Sequence, residues 1–85
     1  MEIVFAPKAI NDLKYWKLTG NNKIKKKITA LIIAISKQPF SGIGKPEPLK
    51  HDFAGCWSRR IDHEHRIIYE VVGDTVNILS LRSHY

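Results

Sequence analysis

A single cysteine, Cys56, excludes an intrachain disulfide and offers no second thiol for a paired metal site. It reads as a packing residue, in keeping with a reducing compartment. Long apolar runs are also missing. The longest, Ala30 to Ile35, is far short of the ~20 residues that span a bilayer. The opening "MEIVFAPKAI" has no basic segment followed by an apolar stretch, so no signal peptide is read there. A soluble, cytoplasmic protein without a membrane partner is expected. Acids are scarce: eight Asp and Glu stand against fourteen Lys and Arg, for a net charge of +6. Such a balance favours an anionic partner, whether nucleic acid, acidic protein or a charged surface. No Gly-rich phosphate loop, HExxH or CxxC occurs, which leaves nucleotide, zinc-protease and dithiol chemistry without a motif. Repeats, linkers and low-complexity segments are absent. At 85 residues the chain is expected to form one domain, 1–85. A domain of this size buries only about two-thirds of its unfolded surface, so its core should be thin.

What is present has a clear order. "EIVFA" is apolar and β-branched and reads as a strand. Pro7 suits the first turn of a helix, with Ala9, Leu13 and Trp16 on one face and Gly20 as its stop. Asn21 or Asn22 can cap a second helix. There Ile24, Ile28, Leu31, Ile32 and Ile35 keep helical spacing up to Lys37. Its lysines form either a solvated face or a phosphate-tracking patch. Pro39 ends it. The connection that follows, "QPFSGIGKPEPLKHDFAG", is long for a compact domain. Phe40, Ile43, Leu49 and Phe53 are expected to anchor it. "CWSRRI", "HRIIYEVV" and "VNILSLRSHY" then read as strands. The expected fold is α+β, with two N-terminal helices packed on one face of a small, twisted, mainly antiparallel sheet.

The last hairpin has two possible registers. A two-residue Gly73-Asp74 turn would mix Ile67, Tyr69 and Val71 with Ser80, Arg82 and His84 on one face. A three-residue Gly73-Asp74-Thr75 loop would pair Val72 with Val76 and Arg66 with Arg82. It keeps Ile67, Tyr69 and Val71 with Leu79 and Leu81, as a half-covered sheet requires. The second register is therefore expected, with Arg66 and His84 on the open face. Arginines facing each other repel, so that face calls for an anion or a nearby acid such as Glu64 or Glu70.

Within "SGIGKPEPLKH", Glu47 lies between Pro46 and Pro48, with Lys45, Lys50 and His51 around it. A carboxylate, a guanidinium (Arg66) and an imidazole (His84) together suffice for metal-free RNA cleavage. A base removes the 2′-OH proton, a cation stabilises the phosphorane, and an acid protonates the leaving oxygen. Glu47 suits the base, Arg66 the phosphate clamp and His84 the acid. Each also fits a plainer role: Glu47 a turn residue, Arg66 a strand surface residue, His84 a frayed end. The "HEH" at 63–65 resembles a metal pair, but a further ligand is not evident, and neither metal nor cofactor is expected.

The stretch "PFSGIGKPEPLKHDFAGCWSRRIDHEHRIIYEV" and the ending "RSHY" closely resemble the YoeB (Txe/YoeB) toxin family, within the RelE-like superfamily. The resemblance covers the whole chain, including Tyr15-Trp16 and the lysine-rich helix. It implies a RelE-like fold and a ribosome-dependent endonuclease that cuts messenger RNA in the A site, leaving a 2′,3′-cyclic phosphate and a 5′-hydroxyl. The family's catalytic residues fall on Glu47, Arg66, His84 and Tyr85, and supporting residues on Lys50, His51, Arg60 and Glu64. The expected RNA-contacting set is Lys45, Lys50, His51, Arg59, Arg60 and Arg82. Implied partners are the 70S ribosome with its message, a YefM-like antitoxin with an acidic C-terminal segment, and a second toxin copy. Two other readings remain: a non-catalytic ribosome- or RNA-binding inhibitor of translation, and a module devoted to an acidic protein.

Overall fold

The computed structural model describes residues 1–84. Its elements follow the expected order: β1 (Glu2–Phe5), α1 (Pro7–Thr19), α2 (Asn22–Lys37), β2 (Glu47–Pro48), a short 3-10 turn (His51–Phe53), β3 (Cys56–Arg60), β4 (Arg66–Val72) and β5 (Thr75–Ser83). The five strands form one sheet in the order β1-β5-β4-β3-β2. β1 runs parallel to β5, and the other neighbours are antiparallel.

Local chemistry explains the helix ends. Pro7 opens α1 at a position where its missing N–H costs nothing. Gly20 closes the helix in the left-handed region at φ 66, its N–H donating to the Lys17 carbonyl. Asn21 then caps α2, its side chain accepting from the Ile24 amide at 3.1 Å. Ala9 and Trp16 of α1 and Ile24, Ile28, Leu31 and Ile35 of α2 pack on Ile67, Tyr69, Val76, Ile78 and Leu81. Each fully buried aliphatic side chain here contributes roughly 1.5–3 kcal/mol. On the opposite sheet face, Leu49, Cys56 and Ile68 make a small apolar floor with Leu79.

The hairpin register differs from expectation. Gly73-Asp74 is a two-residue turn, with Val72 opposite Thr75 and Val71 opposite Val76. The mixing of polar and apolar groups is avoided by another route. The ladder slips between the Tyr69–Ile78 and Ile68–Ser80 pairs, and slips again before Arg66–Ser83. The bulged segment returns Leu81 to the buried face. Leu81 has no ladder partner among the described residues, so its backbone is satisfied from α1. Its N–H donates to Asp12 Oδ2 at 2.9 Å, and its carbonyl accepts from Trp16 Nε1 at 2.8 Å. Asp12 also accepts from Lys8 Nζ at 2.9 Å and Ser80 Oγ at 3.2 Å. Burial opposes ionisation of Asp12, but the Leu81 amide, Lys8 and Ser80 outweigh it and hold the carboxyl below its ordinary value.

Candidate active site

The connection after α2 is held mainly by a cation, with fewer of the expected apolar anchors buried. Among those anchors only Leu49 is buried; Phe40, Ile43 and Phe53 are 53%, 48% and 43% exposed. Arg59 does the holding. It is wholly buried, and its guanidinium donates to the carbonyls of Gln38, Ser41 and Ile43 and to the Tyr69 hydroxyl. Tyr69 in turn donates to the Pro39 carbonyl at 2.6 Å. Burial pushes the Tyr69 phenol up despite the Arg59 charge beside it. Gly44 completes the seam, its carbonyl accepting from the Arg60 amide at 2.6 Å. A Cβ on Gly44 would lie 2.7 Å from Leu31 Cδ2, so only glycine admits this approach at φ 83. Arg59 is thus a correction to the expected RNA-contacting set, since it is buried and donates to the protein's own backbone and to Tyr69.

This seam delivers Glu47 to the sheet. β2 pairs Glu47 with Ser58, and Ser58 pairs with Ile68 across β3 and β4. Directly opposed residues share a face, so Glu47, Ser58 and Ile68 make one row on the face away from the helices. Arg60 and Arg66 form the next row. Arg66 Nη1 donates to Glu47 Oε2 at 3.2 Å and to the buried Ser58 Oγ at 3.2 Å. Ser58 therefore positions the guanidinium while Glu47 neutralises it. The Glu47 side chain is 59% exposed, whereas that of Arg66 is 21% exposed. The flanking Lys45 and His51 hold left-handed backbone at φ 53 and φ 59, an uncommon state for non-glycine residues that concentrates at functional sites.

The facing arginines expected on this sheet are present, but in a different pair. Arg60 stands opposite Arg66, while Arg66 faces Ser83 in place of Arg82. The bulges account for the change. Arg82 instead lays its guanidinium 3.5 Å over the Tyr15 ring of α1. Its buried Nε has no hydrogen-bond partner among the described residues. Arg60, Lys45, Lys50 and His51 are exposed around Glu47.

His84 is exposed and follows Ser83, the residue opposite Arg66. It lines a cleft of about 380 Å³ with Phe53, Ile68 and Leu79. Its ring lies 5.0 Å from that of His65, which packs edge-on against Trp16 at 4.9 Å. Tyr85 lies outside the described residues. The "HEH" run divides: His63 turns to a groove with Lys23, Lys26 and Lys27 of α2, while Glu64 and His65 converge with His84. Asp62 accepts from the Glu64 and His65 amides at 2.9 and 2.6 Å. Burial opposes its ionisation, but these amides and the His65 ring hold its carboxyl below the usual range. Ser58 and Asp62 escaped the sequence reading, and His65 was weighed there only as half of a metal pair with His63. The strand alternation of "CWSRRI" held the one available signal, that Ser58 shares a face with Arg60.

A two-helix layer on a five-stranded mixed sheet is the α+β architecture of the RelE-like class, and here a carboxylate and a guanidinium meet on its open face. Residues 5–85 match the profile described as YoeB-like toxin of bacterial type II toxin-antitoxin system. The chain belongs to this family. It is 49% identical over 81 residues to the toxin YoeB of Mycobacterium bovis, covering 95% of this chain and 94% of that one. The YoeB/ParE toxin from Agrobacterium tumefaciens superposes with a TM-score of 0.94 at 41% identity over the whole of both chains. A YoeB from Staphylococcus aureus has been solved as a dimer (TM-score 0.90) and in a heterotetrameric complex with YefM (TM-score 0.88). Each is 42% identical and covers 100% of this chain and 98% of the other.

Proposed function

We propose that this toxin is a ribosome-dependent endoribonuclease that cuts messenger RNA in the A site by metal-independent transphosphorylation. The contact of Arg66 with both Glu47 and Ser58 on the open sheet face carries the reading. An entering phosphate competes with Glu47 for the Arg66 fork. Glu47 takes the 2′-OH proton, and the 2′ oxygen attacks phosphorus. Arg66 stabilises the charge on the phosphorane. The bond to the 5′ oxygen breaks as His84, with Tyr85 beside it in sequence, returns a proton to that oxygen. The products are a 2′,3′-cyclic phosphate and a 5′-hydroxyl. Lys45, Lys50, His51 and Arg60 hold the RNA backbone, and Glu64 supports His84.

The ribosome supplies alignment that a small open face lacks. The net charge of +6 and the groove of Lys23, Lys26, Lys27 and His63 favour ribosomal RNA and an acidic antitoxin tail. A YefM-like antitoxin, a homodimer and a cytoplasmic setting complete the reading, with residues 1–85 acting as one domain. The test is a defined message on purified 70S ribosomes with an empty A site, with ends mapped by primer extension. A cut within the A-site codon, lost in Glu47→Ala and Arg66→Ala, is expected. A translation block without any cut would replace the nuclease with an occupancy inhibitor.

A further inference from the structure

The turn after β3 and the end of β5 gather two imidazoles and a carboxylate that the cleavage reaction does not need as a group. Glu64, His65 and His84 each place one donor atom within 4.8 Å of the others. Two imidazoles with one carboxylate suit zinc and neighbouring first-row divalent ions, and not oxygen-seeking Mg²⁺ or Ca²⁺. A four-coordinate ion with bonds of ~2.0–2.2 Å needs its donors closer than that. Glu64 and His84 are exposed and have room to close.

His65 carries the support that metal-ligating histidines have. Its Nδ1 lies 3.2 Å from Asp62 Oδ1. Used as a donor there, Nδ1 leaves the Nε2 lone pair for a ligand, in the carboxylate–histidine arrangement that orients metal-binding imidazoles. The Trp16 ring packs nearly perpendicular to it, with centroids 4.9 Å apart.

We propose that Glu64, His65 and His84 bind a first-row divalent ion such as Zn²⁺, with water completing the coordination, and that the bound ion withholds His84 from RNA. The second half rests on the nuclease reading; the site itself does not.

The purified full-length chain is titrated calorimetrically with Zn²⁺ alone. One-to-one binding is expected. Glu64→Gln and His65→Gln should each weaken it more than about tenfold, Asp62→Asn by about 10–100-fold, and His63→Gln not at all. Circular dichroism checks folding, and Glu64→Gln, an exposed change, keeps the test open if His65→Gln fails to fold. No binding, or wild-type affinity in the Glu64→Gln variant, overturns the site. In the cleavage assay, Zn²⁺ should slow the wild type and spare His65→Gln. Binding that leaves cleavage unchanged overturns the inhibitory half alone. Binding by a chain that never cuts upholds the site and overturns the nuclease.

Discussion

Arg59→Met tests whether the buried guanidinium is a fastener or an RNA contact. The replacement is of similar length and apolar, and it offers no donor. It strips one donor each from the Gln38, Ser41 and Ile43 carbonyls and one from the Tyr69 hydroxyl. A hydrogen bond from a charged donor is worth about 1.5–3 kcal/mol net, so four set an upper bound well above what will be measured. The loop carbonyls are only partly buried and regain water, and removing the cation relieves its own desolvation. A net loss of about 3 kcal/mol is expected, near the lower end for a broken buried charged network. For a domain of this size that lowers Tm by about 12–24 °C. Urea unfolding followed by circular dichroism measures the loss. A-site cleavage should fall with it, because the three freed carbonyls belong to the segment that carries Glu47. The reasoning fails if the variant unfolds at the wild-type midpoint. It fails decisively if RNA affinity drops at the same time and its salt slope shrinks by about one, the mark of a lost phosphate contact.

Asp12→Asn keeps an acceptor for the Leu81 amide but loses the charge, and should destabilise by about 1–2 kcal/mol at pH 7. Because the folded Asp12 carboxyl sits below the ordinary 3.8, its contribution is present above that pH. It is lost as pH falls through the depressed value. Urea midpoints of wild type and variant should therefore converge in acid, and a gap unchanged down to about pH 2 would refute this. Gly44→Ala should lower stability by about 2–4 kcal/mol through a left-handed side chain driven into Leu31. Gly20→Ala, where a Cβ meets nothing within 4 Å, should cost only about 1–2 kcal/mol of backbone strain. Calorimetry that ranks the two equally would discount the close approach. Burial, with Glu70 nearby, pushes the Cys56 thiol up. Iodoacetamide should consequently label it slowly in the native protein and quickly in urea, and fast native labelling would place the thiol at the surface.

Some of this molecule was written locally and some was not. Pro7, Gly20 and Asn21 act on their own neighbours, and the Ile24–Ile35 stripe repeats within one helix. Both helices were therefore legible. Glu47 was legible as a candidate, because the two prolines and the flanking cations lie within a few residues, and the structure brings Arg66 to it. Arg59 was not, since "SRRI" alternates identically whether its middle arginines meet solvent or protein. Only the return of the Gln38–Gly44 loop over β3 decides which one is buried. The hairpin misled for a similar reason. Parity identified which groups had to separate, but a bulge satisfies parity as well as a longer loop does. The stimulus for that bulge is Asp12, about seventy residues upstream, waiting for an amide that leaves the ladder.

The pairing of β1 with β5 has a consequence in time. Glu2 lies opposite Thr75 and Phe5 opposite Ile78, so β1 closes its ladder on a strand made much later in the chain. Contacts of such separation form late, after the entropy of the intervening loop has been overcome. Synthesis at roughly 5–20 residues per second leaves β1 and both helices without β5 for several seconds. During that interval the Ile24–Ile35 stripe has no sheet to cover, and Arg66 has no Ser83 across from it. On the proposed mechanism, a nascent chain cannot cleave RNA until β5 is complete. Any partner that recognises the finished sheet face meets its target at that moment and not before.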